Sequence, residues 1–106
     1  MSTKLVRDKI PQIIKKQGKN IVFRIAEKQE YKELLLAKLQ EEVNEFVSDQ
    51  NEEEIADILE VIDALIEKYQ FSNVKISEIK KQKQLKKGGF DEMIVGKWAR
   101  KHRNVD

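Results

Sequence analysis

The sequence predicts an all-α fold built around an antiparallel helical hairpin. Three observations carry that expectation. Apolar residues recur at helical spacing over two long segments in the middle of the chain. Between them lies a polar break of three residues, Asp49-Gln50-Asn51, too short for anything but an antiparallel return. Hydrophobic residues make up 40% of the 106 and charged residues 38%, a balance that suits solvated helices and argues against disorder.

After a short extended start, Pro11 suits the first turn of a helix, where its missing N–H leaves no hydrogen bond unmade. That turn runs through Ile13, Ile14 and Lys15 and stops at Gly18. Ile21-Val22-Phe23-Arg24-Ile25 is β-branched and aromatic, and reads as a short strand or an extended connector. The first long helix spans about Lys28 to Ser48, with Tyr31, Leu34, Leu35, Leu39, Val43, Phe46 and Val47 as its apolar stripe. Asn51 or Asp49 then caps a second helix, about Glu52 to Tyr69, whose stripe is Ile55, Ile58, Leu59, Ile62, Leu65, Ile66 and Tyr69. A third long helix starts near Ser72 or Ser77 and ends at Gly88-Gly89, after a lysine-rich last turn that the helix dipole favours. Its apolar residues are Val74, Ile76, Ile79 and Leu85, enough for one narrow face. Phe90 to Val95 is a candidate strand partner for Ile21–Ile25, which would add a minor β-hairpin.

These elements are expected to form a single domain over residues 1–106. A domain of this size buries only about 60–65% of its unfolded surface, so the bundle is expected to be completed by oligomerisation into a homodimer or homotetramer. The chain has no cysteine, which removes disulfides and thiolate metal ligands. The opening MSTKLVRDKIPQII scatters its charges and does not read as a secretory signal. No apolar run approaches the roughly 20 residues that cross a bilayer. A cytoplasmic protein without a membrane partner is therefore expected. The net charge of +2 hides a strong partition, because residues 41–67 are acidic and residues 75–103 basic.

Chemistry concentrates in two short strings, Glu41-Glu42-Val43-Asn44-Glu45 and Glu54-Ile55-Ala56-Asp57. At about 100° per residue, Glu42 and Glu45 point within roughly 60° of one another, and so do Glu54 and Asp57. Each string thus presents a pair of carboxylates. Glu42 falls inside the apolar sector of its helix, and Glu54 falls between the directions of Val61 and Leu65 on the next. Carboxylates on facing sides of two packed helices repel, and burying them without compensation is costly. A cation resolves that conflict, and an all-oxygen ligand set selects Mg²⁺, Mn²⁺ or Ca²⁺ over zinc or copper. Either string alone is common in glutamate-rich helices as a solvated face; it is their inward direction on consecutive helices that points to a metal.

The pairing of Glu42-x-x-Glu45 with Glu54-x-x-Asp57 resembles the ExxE…ExxD signature of the MazG-like nucleotide pyrophosphohydrolases, an all-α superfamily that includes phosphoribosyl-ATP pyrophosphohydrolase. Four blocks in order are similar to a short, single-domain, phosphoribosyl-ATP pyrophosphohydrolase-like branch: residues 4–11 (KLVRDKIP), 38–46 (KLQEEVNEF), 54–61 (EIADILEV) and 87–90 (KGGF). The likeness spans about residues 4–95. It differs in spacing, since eight residues separate Glu45 from Glu54 where the family usually has a longer stretch.

The resemblance implies hydrolysis of a nucleoside triphosphate, or of a phosphoribosyl-ATP-like nucleotide, between the α and β phosphates. Glu42, Glu45, Glu54 and Asp57 would bind Mg²⁺, with Mn²⁺ as a substitute, and lower the pKa of an attacking water. One of the four would double as general base, and Glu42, Glu45 and Lys38 are the catalytic candidates. Lys38, one turn before Glu42, either contacts a phosphate, orients a carboxylate or makes a surface ion pair. Arg7, Lys9, Lys87 and the backbone of Gly88 and Gly89 are candidates for the triphosphate, although Gly88-Gly89 equally serves as a helix stop. Trp98 and Phe23 suit base stacking or core packing, and His102 reads as a surface residue.

Two rivals stand beside this reading. The basic series Lys80, Lys81, Lys83, Lys86, Lys87, Arg100, Lys101 and Arg103, with Trp98, suits a nucleic-acid-binding module. The small net charge and the acidic centre count against nucleic acid. A purely structural helical interaction domain is the other, and it would be indifferent to magnesium.

Overall fold

The computed structural model describes residues 3–98. Four helices form among them, α1 (Ile10–Lys16), α2 (Lys28–Ser48), α3 (Glu52–Lys68) and α4 (Asn73–Lys87). The all-α class is as the sequence predicts. The chain divides into two compact units, Met1–Gln70 and Phe71–Asp106.

In the first unit Pro11 occupies the opening turn of α1. The helix ends where Gly18 takes φ +74° and donates its N–H to the Lys15 carbonyl at 3.0 Å, while Lys19 N–H reaches back to Ile14 O at 3.3 Å. A side chain at that φ would be strained, so glycine is the natural stop. Residues 19–27 then run as irregular backbone into α2. They are held near it by Arg24, whose guanidinium grips the Glu30 carboxylate with both terminal nitrogens, Nη1 to Oε1 at 2.7 Å.

Helix α2 ends at Asp49, and Asn51 starts α3 by accepting the Glu54 N–H on its side-chain oxygen at 3.0 Å. Of the two candidate caps it is therefore Asn51 that acts, a contribution of about 1 kcal/mol. Glu52, Glu53 and Glu54 fill the first turn of α3, where the helix dipole favours negative charge. Helix packing in the chain is concentrated where α2 returns on α3. At this seam Leu35 is 4% exposed and Val61 8%. Glu42, also 8% exposed, is buried with them. The Lys32 ammonium lies 4.9 Å from the centre of the Tyr69 ring, joining the far ends of the two helices.

In the second unit Ser72 caps α4, its hydroxyl oxygen accepting the Lys75 N–H at 3.1 Å. Ser77, the other start that the sequence allows, lies inside the helix. The last turn carries Lys86 and Lys87, and Gly88 at φ +79° closes it. Every described residue from Phe71 to Trp98 is exposed.

The expected minor β-hairpin does not form, and no strand occurs among the described residues. Val22 is 95% exposed and Ile25 94%, so the β-branched run 21–25 has no surface to pack on. Strand preference in such residues is mostly packing against neighbours, and without it the run stays irregular. In 90–95 the chain turns instead, Met93 donating its N–H to Phe90 O at 3.3 Å with φ +57°, a left-handed conformation that a regular strand excludes.

No described helix is long and apolar enough to cross a membrane.

Candidate metal centre

The short Asp49–Asn51 connection returns α3 against α2, so carboxylates near the connected ends of both helices face one another. Glu42 stands one and a half turns before the end of α2, and Glu54 and Asp57 lie in the first turns of α3. Each of these three offers an oxygen within 4.8 Å of the other two. A second triad, Glu45, Asp49 and Glu54, meets the same limit. Glu54 belongs to both.

All four carboxylates expected from the sequence therefore enter this acidic region, but not as one quartet: Glu42 and Asp57 share one triad while Glu45 sits in the other. Asp49 is an addition that sequence reasoning missed, having been read only as a possible cap. The signal was present, because Asp49 follows Glu45 by four residues and lies on the same helical face, about 40° away.

Electrostatics in the region are strained in one direction and relieved in another. Burial, reinforced by the charges of Asp57, Glu45, Asp49 and Glu42, pushes the Glu54 carboxyl above its usual range. Two cations offset part of this load. The Lys38 ammonium is 3.3 Å from Glu42 Oε1 and 3.5 Å from Glu41 Oε1, and Arg7 Nη2 donates to Asp57 Oδ1 at 2.7 Å. Arg7 Nη1 also approaches Glu60 Oε1 at 4.0 Å. Farther along the N-terminal segment, Lys4 donates to Glu41 Oε1 at 3.1 Å, and this hydrogen bond, with Lys38, holds the Glu41 carboxyl below its usual range. Residues 4–7 are thus strapped across the acidic side of the hairpin by exposed ion pairs, each worth about 0–1 kcal/mol.

The residues fit a hard divalent ion. Mg²⁺ binds oxygens at about 2.0–2.1 Å, which sets neighbouring ligand oxygens about 2.9 Å apart and opposite ones about 4.1 Å apart. The oxygens of each triad lie within 4.8 Å of one another, close to the scale of those separations. Arg7 and Lys38 stand on the Asp57 and Glu42 carboxylates of this group.

The remaining expected substrate residues lie elsewhere in the chain. Lys9 precedes α1, with its carbonyl accepting the Ile13 N–H at 3.1 Å. Lys87, Gly88 and Gly89 end α4 in the second unit, where Gly88 serves as the helix stop. Trp98 is exposed in that unit and Phe23 in the first. His102, Arg100, Lys101 and Arg103 lie outside the described residues. The chain matches no protein-family model, no curated protein and no solved structure.

Proposed function

We propose that this chain is a Mg²⁺-dependent nucleotide pyrophosphohydrolase acting in the cytoplasm as a homodimer or homotetramer. The observation that carries the reading is Glu42, 8% exposed, whose carboxylate has an oxygen within 4.8 Å of Glu54 and Asp57. A buried carboxylate among other carboxylates is costly unless a cation joins it, and Lys38 on Glu42 with Arg7 on Asp57 leaves the group of three one positive charge short. A single divalent ion balances the site and brings the chemistry that phosphate transfer needs.

Glu42, Glu54 and Asp57 hold the ion in this reading, and Glu45 with Asp49 completes the place for a second on the shared Glu54. Such an ion polarises a phosphoryl oxygen and acidifies a bound water. Glu42 or Glu45 accepts the water's proton. Arg7 and Lys38 orient the substrate by binding phosphate oxygens, for which Arg7 has the planar fork and Lys38 the compact charge. The bond broken lies between the α and β phosphates, and the products are a monophosphate and pyrophosphate.

A panel of nucleoside triphosphates and phosphoribosyl-ATP with Mg²⁺ tests this directly. Pyrophosphate is the expected product. Orthophosphate as the sole product, or no turnover across the panel, would refute it.

One observation favours a second reading, binding of nucleic acid, because the six lysines of α4 are all exposed along 15 residues. Affinity for a duplex that falls steeply between two salt concentrations supports that alternative, since phosphate binding releases counterions.

A further inference from the structure

Arg7 stands between two carboxylates of α3 that differ in their relation to the acidic site. Its Nη2 donates to Asp57 Oδ1 at 2.7 Å, and its Nη1 lies 4.0 Å from Glu60 Oε1. Asp57 belongs to the triad with Glu42 and Glu54, whereas Glu60 belongs to neither triad. The two are three residues apart on one helix, about 60° and one turn from each other, so a single planar fork can serve either. The backbone behind Arg7 is tied down independently of that choice. Ile10 donates its N–H to the Arg7 carbonyl at 3.0 Å in the turn that leads into α1, and Lys4 holds the segment to Glu41, a carboxylate outside both triads, at 3.1 Å. The guanidinium is the part left with room to move, its side chain being 57% exposed. Lys38, the other cation on the triad, is 19% exposed and divides itself between Glu41 and Glu42.

We propose that Arg7 is a charge-operated latch on the acidic site: it competes with a divalent ion for Asp57 and transfers to Glu60 when the ion binds. The proposal rests on the divalent-ion part of the function proposed above, and not on which bond is broken. A guanidinium 2.7 Å from one oxygen of Asp57 stands within a few ångströms of any ion held on the other oxygen, and at that range like charges repel. Exposed ion pairs are weak, so a doubly charged ion with three carboxylate ligands wins the contest. Glu60 gives the displaced guanidinium an anionic partner one turn away, outside the ligand set. Lys4 on Glu41 keeps the segment in place during the transfer, since neither of these residues belongs to a triad. The latch thereby raises the ion concentration at which the site fills, and Arg7 and Glu60 together set that threshold.

Calorimetric titration of Mg²⁺ into the full chain, Arg7→Gln, Glu60→Gln and the double variant tests the latch. Arg7→Gln removes the competitor and is expected to tighten uptake about two- to fivefold, while Glu60→Gln removes the alternative partner and should weaken it about twofold. In the Arg7→Gln background Glu60→Gln should have no further effect, whereas a carboxylate acting on the ion only through its field would weaken uptake equally in both backgrounds. Lys4→Gln should change uptake less than Arg7→Gln does. Proton NMR of the wild-type chain gives a reading that needs no substitution: Overhauser contacts of Arg7 Hδ with Asp57 Hβ should fade, and those with Glu60 Hγ grow, as Mg²⁺ is added. Unchanged or weaker uptake in Arg7→Gln, equal effects of Glu60→Gln in both backgrounds, a Lys4→Gln effect as large as that of Arg7→Gln, or contacts that stay on Asp57 at saturating Mg²⁺ would overturn the latch and leave the metal centre standing. Absence of uptake by both the wild-type chain and Arg7→Gln would overturn the metal centre and the latch with it.

Discussion

Residues 28–70 carry thirteen carboxylates against four lysines, whereas residues 71–98 carry seven lysines against three carboxylates. The sign differs, but burial is what separates the two regions. In the hairpin one carboxylate lies in the packed seam and others press on Glu54; in the second segment no described side chain is buried. A charge in water is cheap and says little about purpose. A charge in a helix seam is held there against its hydration, so its presence calls for a partner. Arg7 and Lys38 are the partners that the hairpin shows, and the proposed divalent ion would be a third, while the lysines of α4 are exposed.

The sharpest way to break this contrast is to remove charge from the seam. Glu42→Gln and Asp57→Asn are expected to abolish pyrophosphate release, a loss of about a thousandfold or more, with helical circular dichroism unchanged. Neutralising Lys80 or Lys83 of α4 should leave turnover within about twofold, because exposed charges make small contributions. Unaltered turnover in either carboxylate variant would remove the distinction between the regions.

Packing provides a second contrast. Leu35→Ala should cost about 2–4 kcal/mol in urea unfolding, because Leu35 is 4% exposed between two helices. Ile79→Ala, at 47% exposure, should cost less than about 1 kcal/mol. Equal losses would mean that α4 is packed as firmly as the hairpin.

The smallest effect concerns Glu54 and pH. Its folded pKa lies above the usual value, so without metal the folded state holds this proton more tightly than the unfolded chain. The penalty of its charge is felt at neutral pH and lifts as pH falls through the raised range. Glu41 and Glu30 behave oppositely, their pKa values held down by Lys4 and Arg24, so their stabilisation exists above the ordinary glutamate range and fades as pH falls through the depressed values. Glu54→Gln should therefore raise the metal-free melting midpoint slightly at neutral pH and cancel the increase produced by Mg²⁺. A lower metal-free midpoint would show that Glu54 is not under repulsion.

Much of the hairpin was legible because its determinants are local. The apolar period, the Asn51 cap and the i, i+3 carboxylate pairs depend only on residues a turn or two apart, and Glu42 within the apolar sector announced its burial. Division of the acidic groups into overlapping triads was not legible, since it depends on how α3 is rotated against α2. The partnership of Arg7 with Asp57 spans 50 residues and leaves no periodic trace. Residues 21–25 misled for the complementary reason: their β-branched composition suggests a strand, but strands need a packing surface that the sequence does not reveal.

Calorimetric titration of Mg²⁺ or Mn²⁺ into the full chain tests the central claim most directly, because it asks whether facing carboxylates of α2 and α3 share an ion. Saturable uptake of one or two ions per chain is predicted, lost in Asp57→Asn and weakening as pH falls and Glu54 takes up its proton. Absence of any saturable heat with either metal, or uptake indifferent to Asp57→Asn, would contradict it.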